Sequence, residues 1–505
     1  MNTNLKLSLS RFDIGMPHEV SEEFTLPDYM PEVRRIVSCT AQVLPENKYL
    51  ESSEVSLSGL AAYTVLYVGE DGELVSAPLN SEYSVRIPCQ NCDMSDLGVG
   101  DIGSHTVLEN VTCRATGPRR LSLTGRMRSR IFAAGAEEMR EKTVLGAGSG
   151  GDVTAADEMS LERHKRRVEC SAPAFASVTG SASGELRERE GTKVISCGGS
   201  VSVSDVHFDG DAAVIRGDAY AEFLLVSSDG EYSSSRVKAP FEERVSPDFH
   251  RRIPDGAARS AAAFARCAAV SINGGDGGVF LWELEYDIDA LISATYGVEV
   301  TDDAYSTSYD SSIVYNDCDV LLCLKNTNSH LSVSGSKQVA YGEGRSISHV
   351  SGRAALDRYD IQPDGKIVLS GSCTVTVTVG GEGEFSCEEI VIPVRYECDG
   401  ARFELGVPSA ICDISMIYAD ARLDGGRLSV DAELGISLSA SLSQKTRLVG
   451  EVLLDKNSPL DVKGSCVKIY YPYENEDIWD IGKKYRCETG KISFCEGGSP
   501  AIITR

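Results

Sequence analysis

Tryptophan occurs twice and histidine seven times in 505 residues, aromatics make up 7%, and Lys and Arg number 49 against 75 Asp and Glu. Each shortage excludes something. The seven histidines (His18, His105, His164, His207, His250, His330 and His349) show no HxH or HExxH spacing, which leaves no histidine-based zinc signature; they read as ordinary surface or loop residues. A net charge of −26 argues against nucleic acid, because phosphate backbones are held by Lys and Arg, and suits a solubilising surface. No run reaches the roughly 18–20 apolar residues of a membrane span. The opening MNTNLKLSLSRFDIG has neither the apolar stretch nor the cleavage pattern of a secretory signal. The expectation is a cytoplasmic chain with no nucleic-acid partner and no membrane insertion.

Cysteine is plentiful at sixteen, but scattered. Several lie inside strand-like runs, such as Cys373 in SGSCTVTVTV and Cys318 and Cys323 around DVLL, so buried free thiols in a reducing compartment are expected.

The chain repeats itself. IVSC (36–39) returns as VISC (194–197), and SGLAAYTVLYVGEDGEL (58–74) as RGDAYAEFLLVSSDGEY (216–232), both at an offset of 158 residues. SGSCTVTVTVGGEGEF (370–385) follows about 154 residues later, with Gly59, Gly217 and Gly371 in register. Stacked repeats have periods of about 20–50 residues, so this period is a whole domain present three times.

Each copy carries a long alternating strand. In VFLWELEYDIDALI (279–292), Trp282, Leu284, Tyr286 and Ile288 share one face and Glu283, Glu285, Asp287 and Asp289 the other. Leu428, Val430, Ala432, Leu434, Ile436, Leu438 and Leu442 alternate likewise. One face is apolar and the other wet, as a two-layer antiparallel sandwich requires. Asp-Gly and Gly-Gly turns at 69–73, 227–231, 274–278, 380–384 and 424–426 close hairpins. Segments 135–145 and 256–270 have helical composition, and 146–167 and 300–312 read as linkers. The expected fold is mainly β: three tandem sandwich-like modules (1–157, 158–314 and 315–460) and a small α+β tail (461–505).

Chemical motifs are weak. Gly146 to Gly151 satisfies GxGxxG, but without a βαβ context it reads as a flexible linker. Cys89 and Cys92 have the spacing of a redox pair or half a zinc site, with no second pair nearby. Arg216-Gly217-Asp218 heads a repeated strand, and Arg163, Lys165, Arg166 and Arg167 form a basic cluster read as solvated. No catalytic, cofactor or metal residues are assigned, so a non-enzyme is expected.

The tail KIYYPYENEDIWDIGKKYRCETGKISFC (468–495) differs in kind. A short strand ends at Tyr471, and a helix is predicted from about Ile478 to Tyr485. Asp477 is its N-cap, Ile478, Ile481 and Tyr485 share a face, and Lys483 and Lys484 stand near its C-terminus.

LPDYMPEVRRIVSC (26–39) with the strand and hairpin that follow (59–74) resembles the SPOCS domain, a module of bacterial spore coat assembly proteins. The tail's NEDIWDIGKKY (475–485) is similar to the first half of a LysM domain. It has Asn475-Glu476-Asp477 where a GDT-type turn is usual, and the twenty residues after Tyr485 read as too few for a second helix and a closing strand. SPOCS modules before a terminal LysM domain resemble the SipL-like spore coat morphogenesis and engulfment family. That resemblance implies a non-enzymatic scaffold in the mother-cell cytoplasm at the forespore surface. Its LysM domain would dock on the sporulation morphogenetic ATPase, with other coat proteins as further partners. The matching partner-binding positions are Ile478, Trp479, Ile481, Lys483, Lys484 and Tyr485. Two alternatives stand beside it: a wall protein that binds peptidoglycan through the tail, and a thiol-exchange enzyme using Cys89 and Cys92.

Overall fold

Strand patterning dominates the architecture. In the computed structural model, residues 7–504 are described except 45–46, 90–93, 95–96, 138–140, 147–151, 250–252, 341–344, 382–383, 461–466, 474–475 and 496–498. The first unit comprises β1 (Leu7–Thr25), β2 (Val33–Val43), β3 (Asn47–Leu50), β4 (Glu54–Gly69), β5 (Leu74–Pro88), β6 (Ile102–Gly117), β7 (Arg120–Glu137) and β8 (Lys142–Leu145). A short helix, α1 (Ala155–Met159), precedes the second unit: β9 (Leu161–Arg187), β10 (Lys193–Asp209), β11 (Ala212–Val226), β12 (Tyr232–Val245), β13 (Ala258–Gly274) and β14 (Val279–Ser306). The third unit comprises β15 (Tyr309–Gln338), β16 (Ser346–Ile361), β17 (Lys366–Gly381), β18 (Glu384–Asp399), β19 (Val407–Asp424) and β20 (Arg427–Pro459).

The three units share one topology. The opening strand of each pairs with its closing strand, giving the antiparallel layers β1-β7-β6, β9-β14-β13 and β15-β20-β19. The intervening hairpins form the second layer, β10-β11-β12 and β16-β17-β18, with β2-β4-β5 plus β3 in the first unit. Apolar faces meet between the layers: Trp282, Leu284, Tyr286 and Ile288 pack on Phe223 and Phe241 in the second unit, and Leu434, Ile436 and Leu438 on Cys373, Val375 and Val377 in the third. Glu283 and Glu285 stay exposed, as alternation requires.

The repeated glycine has a steric cause. A β-bulge in β10, between Val203 and Asp205, lies beside Gly217, and one in β16, between Leu356 and Arg358, beside Gly371. A Cβ at Gly217 would overlap the Ser202 carbonyl, and one at Gly371 the Ala355 carbonyl. In the first unit the same place is a full break, since β2 stops pairing at Ala61 and β3 resumes at Ser58. There a Cβ on Gly59 would lie 2.8 Å from the Tyr83 hydroxyl.

Four expectations are corrected. Segment 256–270 is largely β13, not helix, because both its faces are buried: Ala261, Ala263 and Cys267 face the unit's core, while Ala262 and Phe264 pack outward on Leu291 and Ile411. Alanine is there for close approach. Segment 135–145 holds the end of β7 and strand β8, which pairs parallel with β20. Segment 300–312 is no linker, since β14 runs to Ser306 and β15 starts at Tyr309; its polar residues make turn and ion-pair contacts instead. Most of the 146–167 stretch that is described is also structured, and two of its four Lys and Arg are engaged: Arg163 pairs with Glu158 at 2.8 Å and Arg166 with Asp302 at 3.1 Å, while Lys165 and Arg167 are exposed. The candidate glycine loop at 146–151 lies outside the described residues beyond Gly146.

Each unit touches both others. Gln42 donates to the Gly199 carbonyl at 3.2 Å, and Ser200, the residue 158 places on from Gln42, donates to the Ile417 carbonyl. Arg236 donates to the Ala419 carbonyl at 2.9 Å, and Leu9 of β1 pairs with Val320 of β15.

The histidines are not all superficial. His105 is buried, and burial with the nearby Arg266 and Arg130 charges holds its imidazole well below the ordinary range. Burial brings His349 down to about 4. A His that stays neutral when folded but protonates near pH 6.5 when unfolded makes the unfolded state the stronger proton binder, so stability falls as the pH is lowered. His349 alone is expected to remove about 1 kcal/mol between pH 6.5 and 5.5. Thermal melts across that range check this, and His349→Gln should flatten the profile.

Candidate functional site

The tail is built on one small core. Strand β21 (Val467–Tyr470), helix α2 (Ile478–Tyr485), β22 (Ile492–Phe494) and β23 (Ala501–Thr504) enclose Ile481, Cys487, Ile492, Ala501 and Ile503. Helix α2 begins as expected: the Asp477 carboxylate accepts from Asp480 N–H at 2.9 Å, and the Asp480 carboxylate accepts from Asp477 N–H. The residues after Tyr485 hold a closing strand but no full second helix, in keeping with the expectation that both would not fit. A single 3₁₀ turn at Thr489–Lys491 stands where a second helix was sought, and β23 fits between β21 and β22 in the sheet.

The six positions singled out in the sequence separate into three roles. Ile481 is fully buried in the tail core, and Tyr485 packs edge-on against Tyr470 with ring centroids 5.2 Å apart. Lys484 is a local strut, donating to the Tyr470 hydroxyl at 2.6 Å and to Glu476 at 3.2 Å, and Ile478 is exposed. Trp479 and Lys483 turn toward the chain's own body. Trp479, 8% exposed, donates through Nε1 to Asp303 Oδ2 at 2.8 Å, and Lys483 reaches both Asp303 oxygens at 2.7 and 2.6 Å. The Trp479 ring lies 4.9 Å from Tyr305 and 5.2 Å from His164.

Further bonds fix this docking. Tyr305 donates to the Cys487 carbonyl at 2.7 Å, Thr489 to Glu162 at 2.9 Å, and Arg486 to Ser311 at 3.2 Å. Gly482 lies flat against the Tyr305 hydroxyl, leaving no room for a side chain. On the body side, a register shift between Thr301 and Asp303 breaks the β14–β9 alternation just before Asp303. Burial raises Asp303, but Lys483 and the Trp479 N–H outweigh it and hold the carboxyl below its usual range.

With α2 committed inward, the tail's free surface is its sheet. Val467, Ile469 and Tyr471 alternate outward from β21, with Ile469 66% and Tyr471 71% exposed, and Tyr473 beside them is 75% exposed. Ile502 of β23 pairs with Ile469 and shares that face. The i, i+2, i+4 spacing of these residues is the signal by which the sequence could have revealed the face. The tail is also electrically distinct: residues 461–505 contain seven Lys and Arg and seven Asp and Glu, so the whole −26 resides on residues 1–460.

The other candidates place as follows. Cys89 is buried among Val55, Ile87 and Met94, surroundings that favour an inert thiol; Cys92 lies outside the described residues. No disulfide joins any two of the described cysteines. Among the described residues, no group of three or more His, Cys, Asp and Glu is placed to hold a metal ion, and no helix is long and apolar enough to cross a membrane. No family model, curated protein or solved structure matches the chain.

Proposed function

We propose that this chain is a non-enzymatic scaffold of spore envelope assembly, acting in the mother-cell cytoplasm at the forespore surface, and that its tail docks on the sporulation morphogenetic ATPase. The resemblance of 26–39 and 475–485 to SPOCS and LysM modules motivates the reading, and the threefold β body supports it by multiplying surface. The observation that carries it is the outward tail face of Val467, Ile469, Tyr471 and Tyr473, an apolar and aromatic patch on a neutral segment of an acidic chain. Aromatic side chains at the centre of such a patch tend to dominate binding.

The test is a binding titration of the purified chain against that ATPase. Tyr471→Ser with Ile469→Asp should weaken binding at least about tenfold, as expected for loss of a central anchor, while circular dichroism stays unchanged. Binding at full strength by the double variant would refute docking through this face. A tagged chain that fails to gather at the forespore during sporulation would refute the scaffold reading as a whole.

A further inference from the structure

The three units meet around a half-open cavity with polar side chains in its lining. One lobe, of about 240 Å3, is lined from all three units, and a second, of about 330 Å3, joins it through Val107, Glu109, Ala354 and Asp413. The closing-layer strands β6, β13 and β19 each carry a bulge here, after Leu108, Cys267 and Met416 respectively. Counting four residues back from each bulged position brings His105, Phe264 and Asp413 to equivalent places. Phe264 lies 4.8 Å from the His105 ring. One unit thus fills the position with an apolar ring, and packing alone gives no reason for the other two to carry His and Asp.

The polar groups are incompletely matched. Arg266 donates through Nη2 to His105 Nδ1 at 3.0 Å, which puts the imidazole proton on Nε2. That Nε2 is buried without a partner, on a side chain 7% exposed. Among the described residues, Arg266 has no carboxylate partner within salt-bridge distance, and no side chain donates a hydrogen bond to Asp413. Arg353, exposed at the rim, uses one nitrogen on Asn110 at 2.7 Å. By contrast Arg130, close by, is saturated by Asp13 and the Ala410 carbonyl. An unmatched buried donor costs about 1–3 kcal/mol, a cost that packing alone does not explain.

We propose that this junction binds a small anionic molecule that carries a carboxylate or phosphate together with a hydroxyl group. Arg266 and Arg353 hold the anionic group and Asp413 accepts from the hydroxyl. Each arginine has one of its guanidinium nitrogens engaged, on His105 or Asn110, and keeps further N–H groups to donate to such a group. Because the lining comes from all three units, the bound molecule ties them together and raises the melting temperature of the whole body by mass action. This does not depend on what the tail docks with.

Citrate and glycerol 3-phosphate are the probes, one for each anionic group, with sodium sulfate as the control for a bare anion. The intact chain is titrated by calorimetry and by thermal shift at concentrations up to about 1 mM. Saturable binding of either organic probe, weakened at least about tenfold in Arg266→Met and in Arg353→Gln, is the expected result, and the probe that binds identifies the anionic group. Sulfate binding as tightly as both probes would remove the hydroxyl contact to Asp413 and overturn the assignment. So would no saturable binding, or binding unchanged in both variants. Should Arg266→Met fail to fold, Arg353→Gln, whose side chain is at the rim, decides the question alone.

Discussion

Trp479→Ala is expected to release the tail from the body while leaving both folded. The indole's ring and hydrogen-bond contacts are with Asp303, Tyr305 and His164, all on the body, whereas the tail core is formed by Ile481, Cys487, Ile492, Ala501 and Ile503. Removing a buried Trp costs about 3–5 kcal/mol, more than any one of the remaining interface hydrogen bonds contributes, at about 0.5–3 kcal/mol each. Hydrogen exchange should rise at the start of β9, the end of β14 and the solvent-hidden side of α2, with the tail's own amides still protected. Ile481→Ala is the contrasting variant, since it should unfold the tail itself. Loss of protection throughout the tail in Trp479→Ala would contradict the division of roles. The distinction matters for the proposed docking: a drop in binding of the proposed ATPase partner by Trp479→Ala alone would report tail orientation, and only the Ile469 and Tyr471 variants report the outward face.

The same interface has a defined acid limit. Asp303 is held below the ordinary carboxyl range when folded, so its contribution is fully present above the unfolded value near 3.9 and disappears as the pH falls through the lower folded value. The tail should therefore stay docked at pH 5, where protonation of His105 and His349 in the unfolded chain already lowers the stability of the body. Asp303→Asn should loosen it at neutral pH.

The second large effect is predicted for Gly371→Ala. Its added methyl meets a backbone carbonyl, that of Ala355, and carbonyls at a bulge cannot rotate aside as side chains can. A loss of about 3 kcal/mol, the upper end of the range for overpacked cores, is expected in chemical denaturation. Gly217→Ala should match it through Ser202. At Gly59→Ala the obstacle is the Tyr83 ring, which has a side-chain torsion available, so the loss should be smaller. Equal losses at all three positions would separate the glycines from the bulges.

The strands were legible because their alternation is a local property. Trp282, Leu284, Tyr286 and Ile288 announce a half-buried strand without reference to anything else in the chain. The glycine register was also visible, but its cause was not, since the bulge opposite lies in a different strand. Alanine in 256–270 misled for a related reason: composition cannot report that a second unit packs on the strand's outer face. The tail helix and its Asp477 cap were readable, whereas Asp303, 176 residues from Trp479, was hidden inside a polar stretch that resembled a linker. Long-range partners of polar residues leave little trace in a single sequence.

The single pairing of Leu9 with Val320, with β8 lying along β20, has a consequence for biosynthesis. A ribosome completes the amino-terminal sandwich at Leu145, well before it makes the β15 and β20 residues that cover its open margin. Until then the backbone groups of β1 near Leu9 are bare, as exposed sheet edges are, and able to join a neighbouring nascent chain. Prematurely terminated products should therefore aggregate more readily than full-length polypeptide, and chaperone demand should end when the last long strand emerges.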